Sequence, residues 1–242
     1  MKSVVVAYLR SQRGKFHSLL PPKVLRSGIA AIDLSAQNAR LQAYAIGDRA
    51  GQTELITALI GDRGVGVGGY MERRAWYQKA AHFQAGAEPR NIHLGVDIWA
   101  PAGTAISAPL AGRIHSFKDN ALYGDYGPTI ILEHRPAAGI SFFTLYGHLS
   151  RQSLSGLVSG AQIEPGELLG HLGSPGENGD WPPHLHFQII LDLQGKSGDF
   201  MGVCTESQSA LYREICPDPN LILGFSELEN ADATSICDSQ QR

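Results

Sequence analysis

Between Ile92 and Leu191 the chain repeats short apolar segments, each bounded by Gly, Pro, Asn or Asp. They include TAISA, GRIHSF, PTIILEH, SFFTLY and LHFQIIL. Short β-prone segments separated by turn residues are typical of an antiparallel sandwich or barrel, and no helical segment of comparable strength interrupts them. The sequence therefore predicts a mainly β fold, an antiparallel sandwich or barrel, with irregular and partly helical extensions at both ends.

The composition favours such a fold and argues against two classes of partner. Gly accounts for 28 of 242 residues and charged residues for 18%, against usual shares of about 7% and about 25%. The formal charge of −3 leaves no basic surplus for phosphate groups, so we expect no nucleic acid partner. No apolar run approaches the roughly 18 residues of a membrane span, so we expect none.

The ends of the chain bear on the compartment. The apolar run from Val4 to Leu9 is cut by Arg10 and has no small-residue cleavage site after it, unlike a signal peptide. The three cysteines, an odd number, cannot all pair in disulfides, which favours a reducing compartment; they are Cys204, Cys216 and Cys237. We expect a cytoplasmic protein, with a periplasmic or secreted one as the alternative.

We expect three parts: an N-terminal extension over 1–88 that packs on the core, a central domain over 89–192, and a C-terminal wrap and tail over 193–242. In the first part, five glycines lie between Gly61 and Gly69. They predict a loop that needs positive φ or a close backbone approach. The loop lacks the Lys-Ser/Thr ending of a phosphate-binding loop, so a nucleotide site is a weak hypothesis.

Histidines recur on the predicted strands. In HLHFQIIL, the apolar Leu185 and Phe187 alternate with His184 and His186, which share the opposite face roughly 6.6 Å apart. A third histidine, His148, lies in SFFTLYGHLS. Two histidines at this spacing on one strand face can address one small site.

A carboxylate joins them in the segment NIHLGVDIW, where His93 and Asp97 share a parity. An extended strand would hold these two residues about 13 Å apart, too far to share one ion. The backbone must therefore bend between them, and Gly95 is the residue that allows a bend.

Zinc explains this set of residues. Catalytic zinc takes three protein ligands from His and Asp/Glu and leaves a fourth position for water, whose pKa falls from 15.7 to roughly 7. Two imidazoles and one carboxylate leave a net charge of +1, so the metal stays Lewis acidic. A structural site of four cysteines is excluded here, because every cysteine lies downstream of this region.

Three strings, in order, resemble the lysostaphin-type or LytM-like zinc metallopeptidases, β-rich enzymes that cut peptide cross-links of peptidoglycan in bacterial cell walls. The strings are HLGVD (93–97), LYGHLS (145–150) and PPHLHF (182–187). The likeness covers roughly residues 90 to 192. It implies the lysostaphin-type fold, similar to a duplicated hybrid motif, and a hydrolase that cleaves a peptide bond with a zinc-bound water. The substrate would be a peptide or a peptidoglycan fragment.

The resemblance also implies roles for five residues. His93, Asp97 and His186 would hold one Zn²⁺ per chain, and His148 and His184 would activate water and stabilise the oxyanion. For the other histidines we expect structural roles; these are His17, His82, His115, His134 and His171.

Three further features concern the substrate. The stretch GSPGENGDWPPHLHF is longer than the family's usual loop and would put Asp180 and Trp181 near the mouth of the site. Tyr70 and Arg74 are candidate substrate contacts, since a guanidinium can hold a carboxylate with two parallel hydrogen bonds; the alternative is a solvated polar face. The segments GVGGYMERRAWY and CPDPN resemble a family branch fused to kinase-like and aminotransferase domains.

Two other hypotheses compete with the enzyme. A catalytically inactive zinc-binding scaffold or regulatory domain is the first, although inactive relatives usually lose ligands or the catalytic pair and all five residues are present here. A biotinyl or lipoyl carrier is the second, because SAPLAGRI resembles the hinge of such domains. The chain has no lysine between Asp119 and Lys196, which nearly excludes a carrier.

Overall fold

An eight-stranded sheet forms the centre of the computed structural model, which describes residues 2–43, 49–74, 77, 83 and 86–229. Its strand order is β1-β2-β4-β11-β8-β7-β6-β9. The strands are β1 (Ile29–Ala31), β2 (Val65–Gly68), β4 (Val96–Trp99), β6 (Gly112–Asn120), β7 (Gly127–Ala137), β8 (Ile140–Gly147), β9 (Gln162–Ile163) and β11 (His184–Ile190).

Two small sheets and several short helices complete the fold. One small sheet pairs β5 (Ala105–Ser107) with β10 (Leu168–His171), and the other pairs β3 (Ile92–His93) with β12 (Val203–Cys204). The helices are α1 (Lys2–Ser11), α2 (Pro22–Leu25), α3 (Arg49–Ile60), α4 (Ser209–Ile215) and α5 (Asn220–Leu223), with 3-10 turns at Ala39–Ala43 and Arg151–Leu154. In the described part of the chain, no helix combines the length and apolar character that a bilayer span needs.

The prediction of a mainly β, mostly antiparallel fold is confirmed. Only the pairing of β1 with β2 is parallel among the strand pairs of the described residues. Over those same residues the large sheet is open, with β1 and β9 as its edges, so it does not close into a barrel.

The sheet is covered on both faces, whereas the alternation in β11 predicted one apolar face. Leu185 and Phe187 pack in the main core, which also takes Val5 and Leu9 from α1. The opposite face is covered by a cluster that includes Phe200, Cys204 and Cys216 from the C-terminal part. Every residue of β11 is therefore buried, including its two histidines.

The middle of the glycine-rich segment, Val65–Gly68, is strand β2 rather than part of the predicted loop, while Gly61 and Gly69 have the positive φ that was expected. β2 pairs with β4, and Ile32 donates a backbone hydrogen bond to the carbonyl of Val67 at 2.8 Å. The expected close approach is present, because a Cβ at Gly66 would lie 2.8 Å from the side chain of Ile32. Glycine at this position allows a strand to lie where a larger side chain would collide with its neighbours. This explains why a strand has the high glycine content that is typical of loops.

The predicted N-terminal extension thus contributes strands to the central sheet as well as packing on it. The boundaries proposed at residues 88 and 192 stay a prediction. Cys204 and Cys216 are buried free thiols, while Cys237 lies outside the described residues.

Candidate metal centre

A bend in the chain brings His93 and Asp97 together, as the sequence predicts. β3 ends at His93 and β4 begins at Val96, so the extended backbone is broken at Leu94 and Gly95. A Cβ on Gly95 would lie 2.7 Å from Cε1 of His186, so glycine is required by the neighbouring ring. Across the sheet, β11 pairs antiparallel with β4 and sets His186 directly opposite Asp97.

The ligand triad, by which we mean His93, Asp97 and His186, converges on one point. Nε2 of His93 lies 2.9 Å from Nδ1 of His186. Oδ1 of Asp97 lies 3.2 Å from each of those nitrogens. All three side chains are buried. These are the distances at which three donor atoms can share one small cation.

The hydrogen bonds behind the triad leave its lone pairs pointing inward. Nδ1 of His93 donates to the carbonyl of Gly69 at 2.9 Å, so its Nε2 carries a lone pair. Nε2 of His186 donates to Oε1 of Gln188 at 2.9 Å, so its Nδ1 carries one too. Two lone pairs and a carboxylate oxygen therefore face one another without a proton between them. This donor set fits a divalent cation with nitrogen and oxygen preference, such as zinc.

Electrostatics keep two members of the triad, His93 and Asp97, in the forms that bind a metal. Burial, with the nearby charge of Arg74, lowers the pKa of His93 to about 3. Burial opposes ionisation of Asp97, yet His93 and Arg74 beside it hold the pKa of that carboxyl well below its ordinary value. A neutral imidazole and an ionised carboxylate are the states that bind a metal.

Two more imidazoles, His148 and His184, lie beside the triad, and we call them the histidine pair. Their ring centroids are 4.2 Å apart. Nδ1 of His148 donates to the carbonyl of Asn178 at 2.8 Å, and Nδ1 of His184 donates to that of Pro182 at 2.7 Å. Each ring thus keeps a free lone pair on Nε2, and Nε2 of His184 lies 3.8 Å from Oδ1 of Asp97. Burial lowers the pKa of both rings, so both are neutral bases at neutral pH.

His148 also has an unusual backbone. It follows β8 with a φ of 62°, in the left-handed region that non-glycine residues rarely adopt. Its N–H donates to the carbonyl of Tyr126 at 2.9 Å, which fixes this conformation. Strained backbone held by its surroundings is frequent at functional sites.

A cavity of about 290 Å³ opens onto these groups. Its walls combine aromatic and aliphatic side chains with charged ones: Tyr77, Phe83, Leu122, Tyr126, Trp181, Phe200, Met201 and Val203 with Arg90, Asp125, Lys196 and Asp199. The position of Trp181 agrees with the predicted mouth. Asp180 beside it forms an ion pair with Arg49 at the start of α3.

The two predicted substrate contacts have partners inside the protein. The hydroxyl of Tyr70 donates to the carbonyl of Cys216 at 2.7 Å. The side chain of Arg74 is 0% exposed and donates from Nη1 to Oδ2 of Asp97 at 2.5 Å. Neither residue lines the cavity, and their role in substrate binding stays a prediction.

The histidines expected to be structural lie away from the cavity where they are described. His134, for example, is buried on β7, with Nδ1 donating to the carbonyl of Ala111 at 2.8 Å and Nε2 at 2.7 Å from Oγ1 of Thr144. His82 lies outside the described residues.

Gln188 and the carbonyl of Gly69 are the site components that sequence reasoning missed. For Gln188 a signal existed, because it lies two residues after His186 on one strand and so shares its face. Its amide nitrogen donates to the carbonyl of Met201 at 3.1 Å, which turns its oxygen toward His186. For Gly69 no sequence pattern indicated which carbonyl would face His93.

Several solved structures are similar to this chain. A candidate peptidase M23 from Pseudomonas aeruginosa is 24% identical with a TM-score of 0.37; the match covers 55% of this chain and 44% of that one. The catalytic domain of a prophage-encoded M23 protein from Enterococcus faecalis is 19% identical with a TM-score of 0.38, covering 54% and 82%. The catalytic domain of lysostaphin from Staphylococcus simulans is 22% identical with a TM-score of 0.40, covering 61% and 91%.

No curated protein matches the chain, and the likeness to the branch with aminotransferase domains stays a prediction. The match to a family profile covers residues 91–199, which contain the whole ligand triad and the histidine pair. The family that this profile describes is Peptidase family M23.

Proposed function

We propose that this protein is a zinc-dependent metallopeptidase that hydrolyses a peptide bond in a peptide or peptidoglycan-fragment substrate. The observation that carries the proposal is the convergence of two imidazole lone pairs and one carboxylate oxygen at 2.9 to 3.2 Å, with the histidine pair beside them. His93, Asp97 and His186 would hold one zinc ion per chain. Zinc bound there supplies Lewis acidity and lowers the pKa of water to roughly 7.

The histidine pair supplies the proton transfers in this proposal. Each ring donates through Nδ1 to a backbone carbonyl, so each can accept a proton only at Nε2. A general base must be unprotonated at working pH, and burial lowers the pKa of both rings. One ring accepts the proton of the attacking water at Nε2, and the imidazolium so formed can then donate from Nε2 to the negative charge that develops on the scissile carbonyl oxygen.

Asp97 supports the ring that becomes charged. Its Oδ1 lies 3.8 Å from Nε2 of His184, close enough to stabilise an imidazolium in a buried site. The proton then passes from the ring to the leaving amine. Each ring has an acceptor at Nε2 beside the ligand triad, so both are tested.

The cavity supports a peptide-like substrate. Its aromatic walls suit the apolar parts of a peptide, and its charged residues of both signs suit polar groups along the same chain. Water is displaced from such a cavity when a substrate fills it, which strengthens the electrostatic contacts of the buried histidines.

Two pairs of substitutions separate metal binding from chemistry. We expect one zinc per chain by elemental analysis, and a large loss of zinc in His93→Ala and Asp97→Ala. His148→Ala and His184→Ala should keep zinc and lose hydrolysis by about 100-fold or more. The variant His115→Ala is the control, because this half-buried side chain lies outside the cavity lining.

Substrates are identified by incubating the zinc-loaded protein with peptidoglycan fragments, glycine-rich peptides and D-amino-acid dipeptides, with products read by mass spectrometry. Cleavage that disappears in both histidine-pair variants supports the proposal. Zinc binding with no cleavage of any member of the panel would favour a zinc-binding scaffold. Unchanged zinc content in the His93 and Asp97 variants would refute the ligand assignment.

A further inference from the structure

The segment before the M23 domain lies against the ligand triad. Residues 71–74 run beside β3 and exchange backbone hydrogen bonds with it. Met71 donates to the carbonyl of His93 at 2.8 Å, and His93 donates to that of Glu72 at 3.0 Å. Arg74 donates to the carbonyl of Asn91 at 2.9 Å. This segment is therefore fixed next to the site by the backbone alone.

Arg74 reaches from this segment into the site. Its Nη1 donates to Oδ2 of Asp97 at 2.5 Å, while Oδ1 of the same carboxylate lies 3.2 Å from the ring nitrogens of His93 and His186. The two oxygens of Asp97 thus have different neighbours. Oδ2 accepts from the guanidinium, and Oδ1 faces the ring nitrogens of the two histidines. A carboxylate held in this way cannot rotate without losing a charge-assisted hydrogen bond.

Glu72 holds Arg74 in turn. Its Oε2 accepts from Nε of Arg74 at 2.6 Å, and its Oε1 accepts from the backbone N–H of Leu34 at 2.8 Å. Both side chains are largely removed from solvent, 0% exposed for Arg74 and 12% for Glu72. A chain of hydrogen bonds therefore runs from the backbone beyond β1 to the carboxylate of Asp97.

The glycine-rich segment makes room for this chain. Gly69 has a φ of +99°, and a Cβ there would collide with Nη2 of Arg74. Its carbonyl accepts the Nδ1 proton of His93. The close approach of the backbone at Gly69 to the guanidinium of Arg74 therefore explains in part why glycines are clustered between Gly61 and Gly69.

We propose that Arg74 is a positioning residue of the metal centre, which fixes Asp97 with one oxygen directed at the metal, and that the site is built jointly by the M23 domain and the segment that precedes it. The inference rests on the proposed function in one respect, since it takes the ligand triad as the zinc site. It assigns Arg74 no contact with substrate.

The test measures zinc affinity by chelator competition on the full chain. Arg74→Met should raise the zinc dissociation constant by about 10- to 100-fold, the usual effect of losing a residue that orients a ligand. Arg74→Lys keeps the charge, but one ammonium group cannot bridge Asp97 and Glu72 as the guanidinium does. The Lys variant should therefore keep only part of the zinc affinity of the parent protein. The control is Arg73→Met, which changes the same residue type one position away, where an exposed ion pair joins Arg73 to Glu206.

Loss of Arg74 alone removes the guanidinium partner of both Glu72 and Asp97, so the double variant Glu72→Gln/Arg74→Met is included and folding is checked by circular dichroism. The cobalt-substituted protein gives a second readout, because release of Oδ2 changes the coordination of the metal and hence its visible absorption band. Equal zinc affinity and an unchanged cobalt band in the double variant and in Arg74→Met would overturn the inference alone. Failure of the parent protein to bind zinc would overturn the proposed function as well.

Discussion

Replacing Gly95 with alanine adds one methyl group next to the ligand triad and changes no ligand. The new Cβ would lie 2.7 Å from Cε1 and Nε2 of His186 and 2.7 Å from the carbonyl oxygen of Phe187, about 0.7 Å short of the 3.4 Å at which ordinary contacts begin. The carbonyl belongs to β11, which is paired with strands on both sides and cannot yield. The backbone at residue 95 must therefore shift away from this carbonyl, and the imidazole of His186 must also move.

A displacement of about 0.7 Å is large for a metal ligand, because metal–ligand distances tolerate only about 0.2 Å. We expect zinc affinity to fall by about 10- to 100-fold and the free energy of unfolding of the metal-free protein to fall by about 1 to 3 kcal/mol. Chelator competition measures the first quantity and denaturant unfolding the second.

Gly176→Ala is the matched control, because a Cβ at that turn position would meet no heavy atom within 4 Å. It should bind zinc as tightly as the parent protein and unfold at the same denaturant concentration. Parent-like zinc affinity in Gly95→Ala would refute the argument that this glycine exists to admit the ring of His186.

Two further predictions concern the metal-free protein and the ligand orientation. His93 and the histidine pair have pKa values below their ordinary value of about 6.5, and that of His93 is about 3. Below about pH 6.5 the unfolded chain therefore binds protons that the folded chain does not. The free energy of unfolding should fall by about 1.4 kcal/mol per pH unit for each such group as pH drops below about 6.5. Denaturant midpoints that stay constant between pH 7 and pH 5 would contradict this. Gln188→Leu removes the acceptor for Nε2 of His186 and should weaken zinc binding by about tenfold or more. Gln188→Glu keeps an acceptor oxygen and is the matched control. Equal zinc affinities of the Leu variant and the parent in chelator competition would refute the orienting role of Gln188.

Local periodicity was sufficient to find much of the site. The alternation in HLHFQIIL assigned His184 and His186 to one face of a strand, and the structure has that strand as β11. The distance argument between His93 and Asp97 required a bend at Gly95, and the break between β3 and β4 lies there. Both inferences depend only on the geometry of an extended chain, which the sequence fully determines once a strand is assumed.

The same bend limited the prediction of the core. Unbroken alternation would place Ile92 and Leu94 on the same face as Val96 and Ile98. The structure instead packs Ile92 and Leu94 in the cluster with Phe200, and Val96 and Ile98 in the main core. A bend changes the face on which the following residues lie, so parity can be counted only within one straight strand.

Burial of charge was beyond what the pattern could predict. Charged side chains are rarely buried unless they are paired, and the pairing depends on residues far along the chain. Arg74 lies 23 residues before Asp97, in a segment without a clear period, and nothing local distinguishes it from Arg73, which is half exposed. A buried and an exposed arginine thus lie next to each other, and only the fold separates them.

Because the fold and not the local pattern decides which side chains are buried, a site can include residues from outside the region in which the sequence pattern is recognisable. The strand pattern and the family match begin near residue 90, close to His93, the first residue of the ligand triad. Orientation of those ligands needs groups on the far side of each carboxylate and imidazole, and a neighbouring segment can supply them without sharing the pattern. Here Gly69 and Arg74 meet His93 and Asp97 in this way. Such residues are constrained by contact with the ligands rather than by periodicity, so the structure, and not the sequence pattern, is where they are found.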